Sequence, residues 1–331
     1  MEKGWSGLPY HSISEHYKRI FNEKVYKIPV TVVDNCPNRM GLKGMKTCSF
    51  CDVWGSAARE ESFTMDLKDQ ITQFHKVIEK RYHAKKYLVY YQAYTNTFTK
   101  ISTLRNNFET ALAFDFVTGF VVGTRPDCIS PAVLELWQEY HKKSFVAVEL
   151  GVQSFFNPHL EFMRRGHTSE DSLKAIEKIS THTAVDLGIH LIFGSPNETD
   201  EQIIETAKIC NDLPITNIKL HNMHVLKNTA LEEWYLDGSY QPIEKEAYKN
   251  KVLLFLSHLH PRIAVHRLAA FASRREELVA PIWTADKMKT HQYIVDELRQ
   301  HKIFQGCLVP VQNEDDKFLF EKMKSRIIQT V

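Results

Sequence analysis

The sequence has no apolar run approaching the roughly 18 residues that a membrane-spanning helix needs. Its first thirty residues also lack the charged start, apolar stretch and small-residue cleavage site of a signal peptide. A soluble, cytoplasmic protein with no membrane partner is expected. Charge of one sign is missing too: 42 Lys plus Arg face 40 Asp plus Glu, a net charge of +2 over 331 residues. So small a balance gives no overall field favouring nucleic acid. Internal repeats and low-complexity tracts are absent. Cysteine is scarce, six residues in all, too sparse for a disulfide scaffold. Their distribution is uneven, however: Cys36, Cys48 and Cys51 are clustered, while Cys128, Cys210 and Cys307 stand singly.

With 43% hydrophobic residues the chain can build a sizeable core, and short apolar runs alternate with longer amphipathic ones, the pattern of βα units. Strands are expected at 28–33, 86–91, 116–122, 145–150, 186–193 and 217–220, and helices at 65–83, 101–113, from Ser130-Pro131 onward, and at 169–179. Ser130 is a serine N-cap before a proline at the first helical position. Thr199 and Gln202 have capping-box spacing at the start of a further helix. Six such units with right-handed crossovers make a parallel sheet, either barrel-like or doubly wound. Polar residues after nearly every strand favour an α/β fold with a partial (β/α)6 TIM-like barrel. The expected division is an N-terminal extension over 1–27, the barrel over 28–230 with a cysteine loop at 34–62, and a mainly helical C-terminal extension over 231–331. Within that extension helices are expected at 243–259 and 285–300, around a short apolar run at 263–268.

The cysteines form C-x11-C-x2-C in a loop with Gly41 and Gly44. Three thiolates from one loop can bind three corners of a [4Fe–4S] cluster and leave one iron open to a non-protein ligand. The competing reading is zinc, for which C-x2-C is a common half-site. No second C-x2-C exists, so His11 or His75 would have to complete it. Incidental thiols are a third reading.

The cysteine loop after the first strand, together with the segments 91–97 (YQAYTNT), 123–128 (GTRPDC), 149–154 (ELGVQS), 165–167 (RGH) and 219–224 (KLHNMH), resembles the radical S-adenosylmethionine superfamily. Within it the chain is similar to the YhcC family, and more distantly to the radical domain of the Elongator catalytic subunit. Two departures stand out. The first cysteine interval is wider than the usual C-x3-C, and the Gly-Gly-Glu motif common after the second strand is replaced by 92–95 (QAYT). The resemblance implies that Cys36, Cys48 and Cys51 ligate a [4Fe–4S] cluster. It also implies a radical enzyme that reductively cleaves S-adenosylmethionine to a 5′-deoxyadenosyl radical, which acts on an unidentified substrate. An electron donor such as flavodoxin or ferredoxin is the implied partner.

The resemblance also distributes parts. Gln92, Tyr94, Thr95 and Asn96 are placed at the methionine end of the cosubstrate. Arg125 either pairs with the substrate carboxylate or forms an ion pair with Asp127. Glu149, Gln153 and Ser154 contact sulfonium, ribose or amino group, with orientation of Arg125 or Arg165 as the rival role for Glu149. Arg165 is a carboxylate fork or a solvated charge. Gly194 opens a turn that contacts adenine. His221 and His224 line the mouth, with Lys227 and Thr229 continuing the wall. The runner-up reading is a tRNA-modifying enzyme like the Elongator subunit, against which stand the near-neutral charge and the lack of an acetyltransferase region after the barrel. A non-catalytic zinc-stabilised protein is the other alternative.

Overall fold

A proline inside the first strand restricts where that strand can lie. β1 (Val25–Val30) contains Pro29, whose missing N–H suits a sheet edge. The strand stands first in the sheet and pairs in parallel with β2 (Lys86–Tyr91), from Val25 opposite Lys86 to Val30 opposite Tyr91. It therefore begins before the expected Ile28. Tyr26, outside the aliphatic run, is held in the strand by stacking on Tyr82 with ring centroids 4.3 Å apart.

The computed structural model describes residues 7–55 and 64–328. Parts of the expected segments, namely 1–6, 56–62 of the cysteine loop and 329–331, lie outside the described residues. The chain divides into two compact units, Tyr17–Ile189 and Met1–His16 with His190–Val331.

In the first unit β1 is followed by α2 (Leu67–Tyr82), β2, α3 (Ile101–Leu112), β3 (Val117–Thr124), α4 (Pro131–His141), β4 (Phe145–Gln153), α5 (Asn157–Phe162) and α6 (Ser169–His182); α1 (Ile13–Phe21) precedes β1. β2 is buried along nearly its whole length, as expected of a parallel strand covered on both faces. β3 pairs in parallel with β2 and with β4, placing Gly123 beside Glu149 and Thr124 beside Leu150. Ser130 accepts a hydrogen bond from the Val133 N–H at 3.3 Å and so caps α4 as expected. The core is aromatic. Phe108 of α3 stacks on Phe120 of β3 at 4.1 Å, Tyr140 of α4 meets both edge-on, and Trp137 is fully buried.

The second unit contains the end of β5 (Asp186–Phe193), then α7 (Asp200–Asp212), β6 (Asn217–Asn222), β7 (Val225–Leu226), α8 (Ala230–Leu236), α9 (Lys245–His258), β8 (Ala264–Val265), β9 (Leu278–Ala280), α10 (Lys287–Gln300) and α11 (Glu314–Ile328). Thr199 and Gln202 form the expected capping box at the start of α7, which packs on α9. β6 pairs in parallel with β8, and β7 pairs antiparallel with β9.

β5 belongs to both units, and the parallel strands are ordered β1-β2-β3-β4-β5-β6-β8. This is an α/β half-barrel with a largely helical C-terminal part, with seven strands where six were expected. The seventh, β8, is only two residues long, too short for a period-2 pattern to show. It falls inside the short apolar run 263–268. Among the described residues no helix is long and apolar enough to cross a membrane.

Candidate functional site

Directly after β1 the chain enters the cysteine loop. Backbone bonds from Met40 to the Cys36 carbonyl and from Leu42 to the Pro37 carbonyl, both 3.1 Å, wind its first part into tight turns. Gly41, at φ 65°, supplies the left-handed step. A second turn closes Cys48 to Cys51, whose N–H donates to the Cys48 carbonyl at 3.1 Å. The loop is then fastened to the segment after α5. Ser49 N–H donates to the Met163 carbonyl at 3.1 Å, and the Asn38 amide donates to the carbonyls of Arg164 and Lys46 at 2.6 and 3.0 Å. Gly166 suits the left-handed backbone there (φ 69°), and a Cβ would also press on Met45 Sδ at 2.4 Å.

Two buried arginines converge on this loop. Arg165 Nη1 lies 3.3 Å from Cys48 Sγ and its Nη2 donates to the Gly151 carbonyl at 2.9 Å. Arg125 is gripped bidentately by Asp127 at 2.8 and 3.0 Å and donates to the Arg165 carbonyl at 2.6 Å. Of the two roles considered for Arg125, the Asp127 ion pair is thus present. Burial opposes the Arg125 charge, but the hydrogen bonds and charge of Asp127 more than restore it, and its pKa is raised. His167, buried beside the two guanidiniums, has its pKa lowered to about 4, first by burial and then by Arg165 and Arg125. It is neutral at pH 7.

The polar residues after β2 lie against the loop and β3. Asn96 donates to the carbonyls of Tyr91, Gly123 and Ala93 at 2.8, 2.9 and 3.2 Å, pinning the crossing from β2 to β3. Thr95 N–H reaches the Asn35 carbonyl at 3.4 Å, and Gln92 N–H the Val30 carbonyl at 3.3 Å. Tyr94, at φ 58°, lays its ring on Gly55, bonds the Val53 carbonyl at 3.0 Å and lies under the Arg39 guanidinium. Its ring and hydroxyl therefore contact the cysteine loop itself. Gln153, the last residue of β4, is at φ 71° and Arg164 at φ 52°. Such backbone values in non-glycine residues cluster at functional turns.

Glu149 is engaged otherwise than expected. Its carboxylate is bound by the Lys27 ammonium and by the Tyr90 hydroxyl at 2.7 Å, and the residue is 2% exposed. Lys27 is a charge partner of this carboxylate. Ser154 bonds His159 Nδ1 at 3.2 Å and accepts from the Phe156 N–H at 3.1 Å, which makes it a turn residue at the start of α5.

Gly194, His221 and His224 belong to the second unit. Gly194 (φ 103°) follows β5; its N–H donates to Glu198 at 2.9 Å and its carbonyl accepts from Tyr240 at 3.1 Å. A Cβ there would stand 2.8 Å from Ile243. Burial raises the Glu198 carboxyl to about 7. His221, in β6, lies 2.7 Å from Arg267 Nη2, and its pKa falls well below the usual value through burial and then through Arg267. The same two causes lower His224 to about 4. Thr229 accepts from Glu232 N–H and caps α8, while Lys227 is exposed.

Sequence reasoning passed over several of these residues. Asn38, Arg39, Gly151 and His167 sit inside the motifs but hold no part in the expected site. Lys27 and Tyr90 gave no signal, since their partner Glu149 is more than fifty positions away.

The donor set can be tested against a cluster. Cys48 is buried, and Cys36 and Cys51 are half-buried. The Cys51 thiol is pushed up to about 12 by burial and by neighbouring Cys48, so binding a metal there releases a proton. Among the described residues no three His, Cys, Asp or Glu side chains are grouped closely enough for one metal ion. His75 does not help zinc, for its ring stacks on Phe116 and meets Tyr87, at the opposite end of β2 from the cysteines. The ring of His11 bonds the Pro261 carbonyl. Around Cys48, buried Arg125 Nη1, Arg165 Nε, Ser49 Oγ and His167 Nε2 have no hydrogen-bond partner among the described residues. Two buried cations with one carboxylate between them suit an anionic group. The residues fit an iron–sulfur cluster with an anionic ligand beside it.

The comparisons agree with this chemistry. Residues 30–210 match the family model described as the radical SAM superfamily, and residues 215–300 the Radical_SAM C-terminal domain. YtqA of Bacillus subtilis (strain 168) is 33% identical over 301 residues, covering 90% of this chain and 92% of that protein. YhcC of Escherichia coli (strain K12) is 32% identical over 270 residues, 81% of this chain and 85% of that one. Among solved structures, archaeal Methanocaldococcus infernus Elp3 with an N-terminal deletion superposes with a TM-score of 0.64 at 18% identity. It covers 85% of this chain and 64% of that one, a likeness of fold. The chain belongs to the radical S-adenosylmethionine superfamily and is a YhcC-like enzyme of that class.

Proposed function

We propose that this enzyme binds a [4Fe–4S] cluster through Cys36, Cys48 and Cys51, cleaves S-adenosylmethionine reductively and directs the radical to a substrate not yet identified. When bound, the cluster supplies the electron that splits S-adenosylmethionine into methionine and the 5′-deoxyadenosyl radical. The observation that carries the reading is the pair of buried guanidiniums, Arg125 and Arg165, set around Cys48 with polar atoms still unpartnered. Asp127 holds Arg125, and the Gly151 carbonyl holds Arg165. Gln92, Thr95, Asn96 and Gln153, which follow β2 and end β4, are the further cofactor-binding residues of the first unit, and Gly194 is that of the second. The neutral rings of His221 and His224 can accept or donate a hydrogen bond without adding charge. The barrel over 28–230 carries the cofactors, and the extension over 231–331 contributes to substrate choice. A low-potential donor of the flavodoxin or ferredoxin type delivers the electron.

The test is anaerobic reconstitution with iron and sulfide, dithionite reduction and addition of S-adenosylmethionine. 5′-Deoxyadenosine is the expected product, and its absence from a fully loaded enzyme refutes the proposal. Metal analysis separates the zinc reading: iron with acid-labile sulfide is expected, whereas about one zinc per chain with no sulfide would sink it.

A further inference from the structure

The widened interval between Cys36 and Cys48 has a structural use. Its residue Asn38 reaches the Arg164 and Lys46 carbonyls at 2.6 and 3.0 Å and lies 3.5 Å from Cys48 Sγ. An amide nitrogen has two hydrogens, and the two short bonds to carbonyls use both. Asn38 is therefore a clamp that holds the loop to the turn before Arg165, and at best a weak donor to sulfur. Arg165 is the stronger candidate. Its Nη1 stands 3.3 Å from Cys48 Sγ, its Nη2 is fixed on the Gly151 carbonyl, and its own carbonyl is fixed by Arg125.

Charge decides what this contact is for. Arg165 is 6% exposed, and among the described residues no carboxylate bridges to it, since Asp127 is taken by Arg125. Two buried guanidiniums sharing the single Asp127 carboxylate leave an excess positive charge, which is costly when buried. The anion within its reach is the Cys48 sulfur once deprotonated. We propose that Arg165 is a positioning residue for the cluster, donating a charge-assisted N–H···S bond to the Cys48 thiolate. The Asn38 clamp supplied by the long interval keeps that donor in register. This rests on the cluster assignment above. Hydrogen bonds and positive charge at a ligating sulfur stabilise the more negative, reduced cluster. Arg165 thus raises the reduction potential through the Cys48 corner, independently of S-adenosylmethionine, beside the longer contact of Arg39 Nη1 with Cys51 Sγ at 3.8 Å.

The experiment is a potentiometric titration of the reconstituted cluster, without S-adenosylmethionine and followed by electron paramagnetic resonance, in wild type, Arg165→Gln, Arg165→Lys and the control Arg164→Gln. Arg165→Gln, with full iron and sulfide content, should move the midpoint to a more negative potential. Arg165→Lys should move it less, in the same direction, and Arg164→Gln should leave it in place. An unchanged midpoint in Arg165→Gln, or an equal shift in Arg164→Gln, overturns the proposal. Should the Arg165 variants fail to load, Arg39→Gln protein labelled with 15N-arginine decides, since Arg39 Nη1 also lies 3.8 Å from a ligand sulfur, that of Cys51. The reduced cluster should show a nitrogen hyperfine coupling, and its absence overturns the proposal equally. Failure of the wild type to assemble a four-iron cluster at all refutes the underlying assignment instead.

Discussion

Gly151 leaves the space in which the Arg165 guanidinium lies: a Cβ on residue 151 would stand 3.2 Å from Arg165 Nη2 and 2.8 Å from Gln153 Nε2. Both neighbours are ends of flexible side chains, so Gly151→Ala should fold. It should nonetheless displace two proposed binding groups at once. The expected result is a protein that loads its cluster but binds S-adenosylmethionine about 10-fold more weakly, a loss of roughly 1.4 kcal/mol. Equilibrium dialysis with labelled cosubstrate measures this, and unaltered affinity would show that neither group needs the space.

Lys27 and Glu149 form an ion pair with the carboxylate almost wholly buried and a hydrogen bond from Tyr90. Lys27→Met strands the Glu149 charge and should cost about 3–5 kcal/mol. The double variant Lys27→Met, Glu149→Gln removes both charges and should recover most of that loss. Guanidinium denaturation of wild type, Lys27→Met, Glu149→Gln and the double variant forms the cycle, and additive effects of the two single changes would mean the pair is not coupled.

Glu198 carries a pH dependence. Its folded pKa is raised from 4.5 to about 7, by burial first, with the Gly194 N–H and Lys251 partly opposing and Asp200 adding to it. A carboxyl raised on folding favours the native state fully below its unfolded pKa and loses that contribution as pH rises to the folded value. Wild-type thermal stability should therefore fall between about pH 4.5 and 7 relative to Glu198→Gln, whose neutral amide cannot ionise. Parallel melting curves for the two proteins across that window would refute the assignment.

The cysteines divide into two classes. Cys36→Ala, Cys48→Ala and Cys51→Ala should each lose the brown colour and most of the iron after reconstitution. Cys128 lies close by in sequence to Arg125, but burial and then Asp127 push its thiol up to about 12. Cys128→Ala should keep a full cluster. Visible absorbance and iron content read both outcomes, and a normal cluster in Cys48→Ala contradicts its role as a ligand.

Much of the scaffold is legible in the chain because its signals are local. The apolar runs at 86–91 and 186–193 are the strands β2 and β5 to the residue, since buried parallel strands need continuous apolar stretches. Ser130 and Thr199 mark helix starts because a cap bonds a backbone group only three residues away. The thiols are legible for the same reason, three in one loop. β8 is not, because two residues have no period, and β1 is misplaced because its start is fixed by Tyr26 stacking on Tyr82 across the fold.

The sequence by itself determined the parallel α/β fold, the cysteine loop after the first strand and the family to which the chain belongs. Each follows from residue spacing and from contacts within a few positions. Only the tertiary structure decided who partners whom. It gave Glu149 to Lys27, Arg125 to Asp127, and Arg165 to the sulfur of Cys48, 117 positions away. Charge pairing in a buried site depends on distance in space and on loss of water, neither of which is written in the order of the residues.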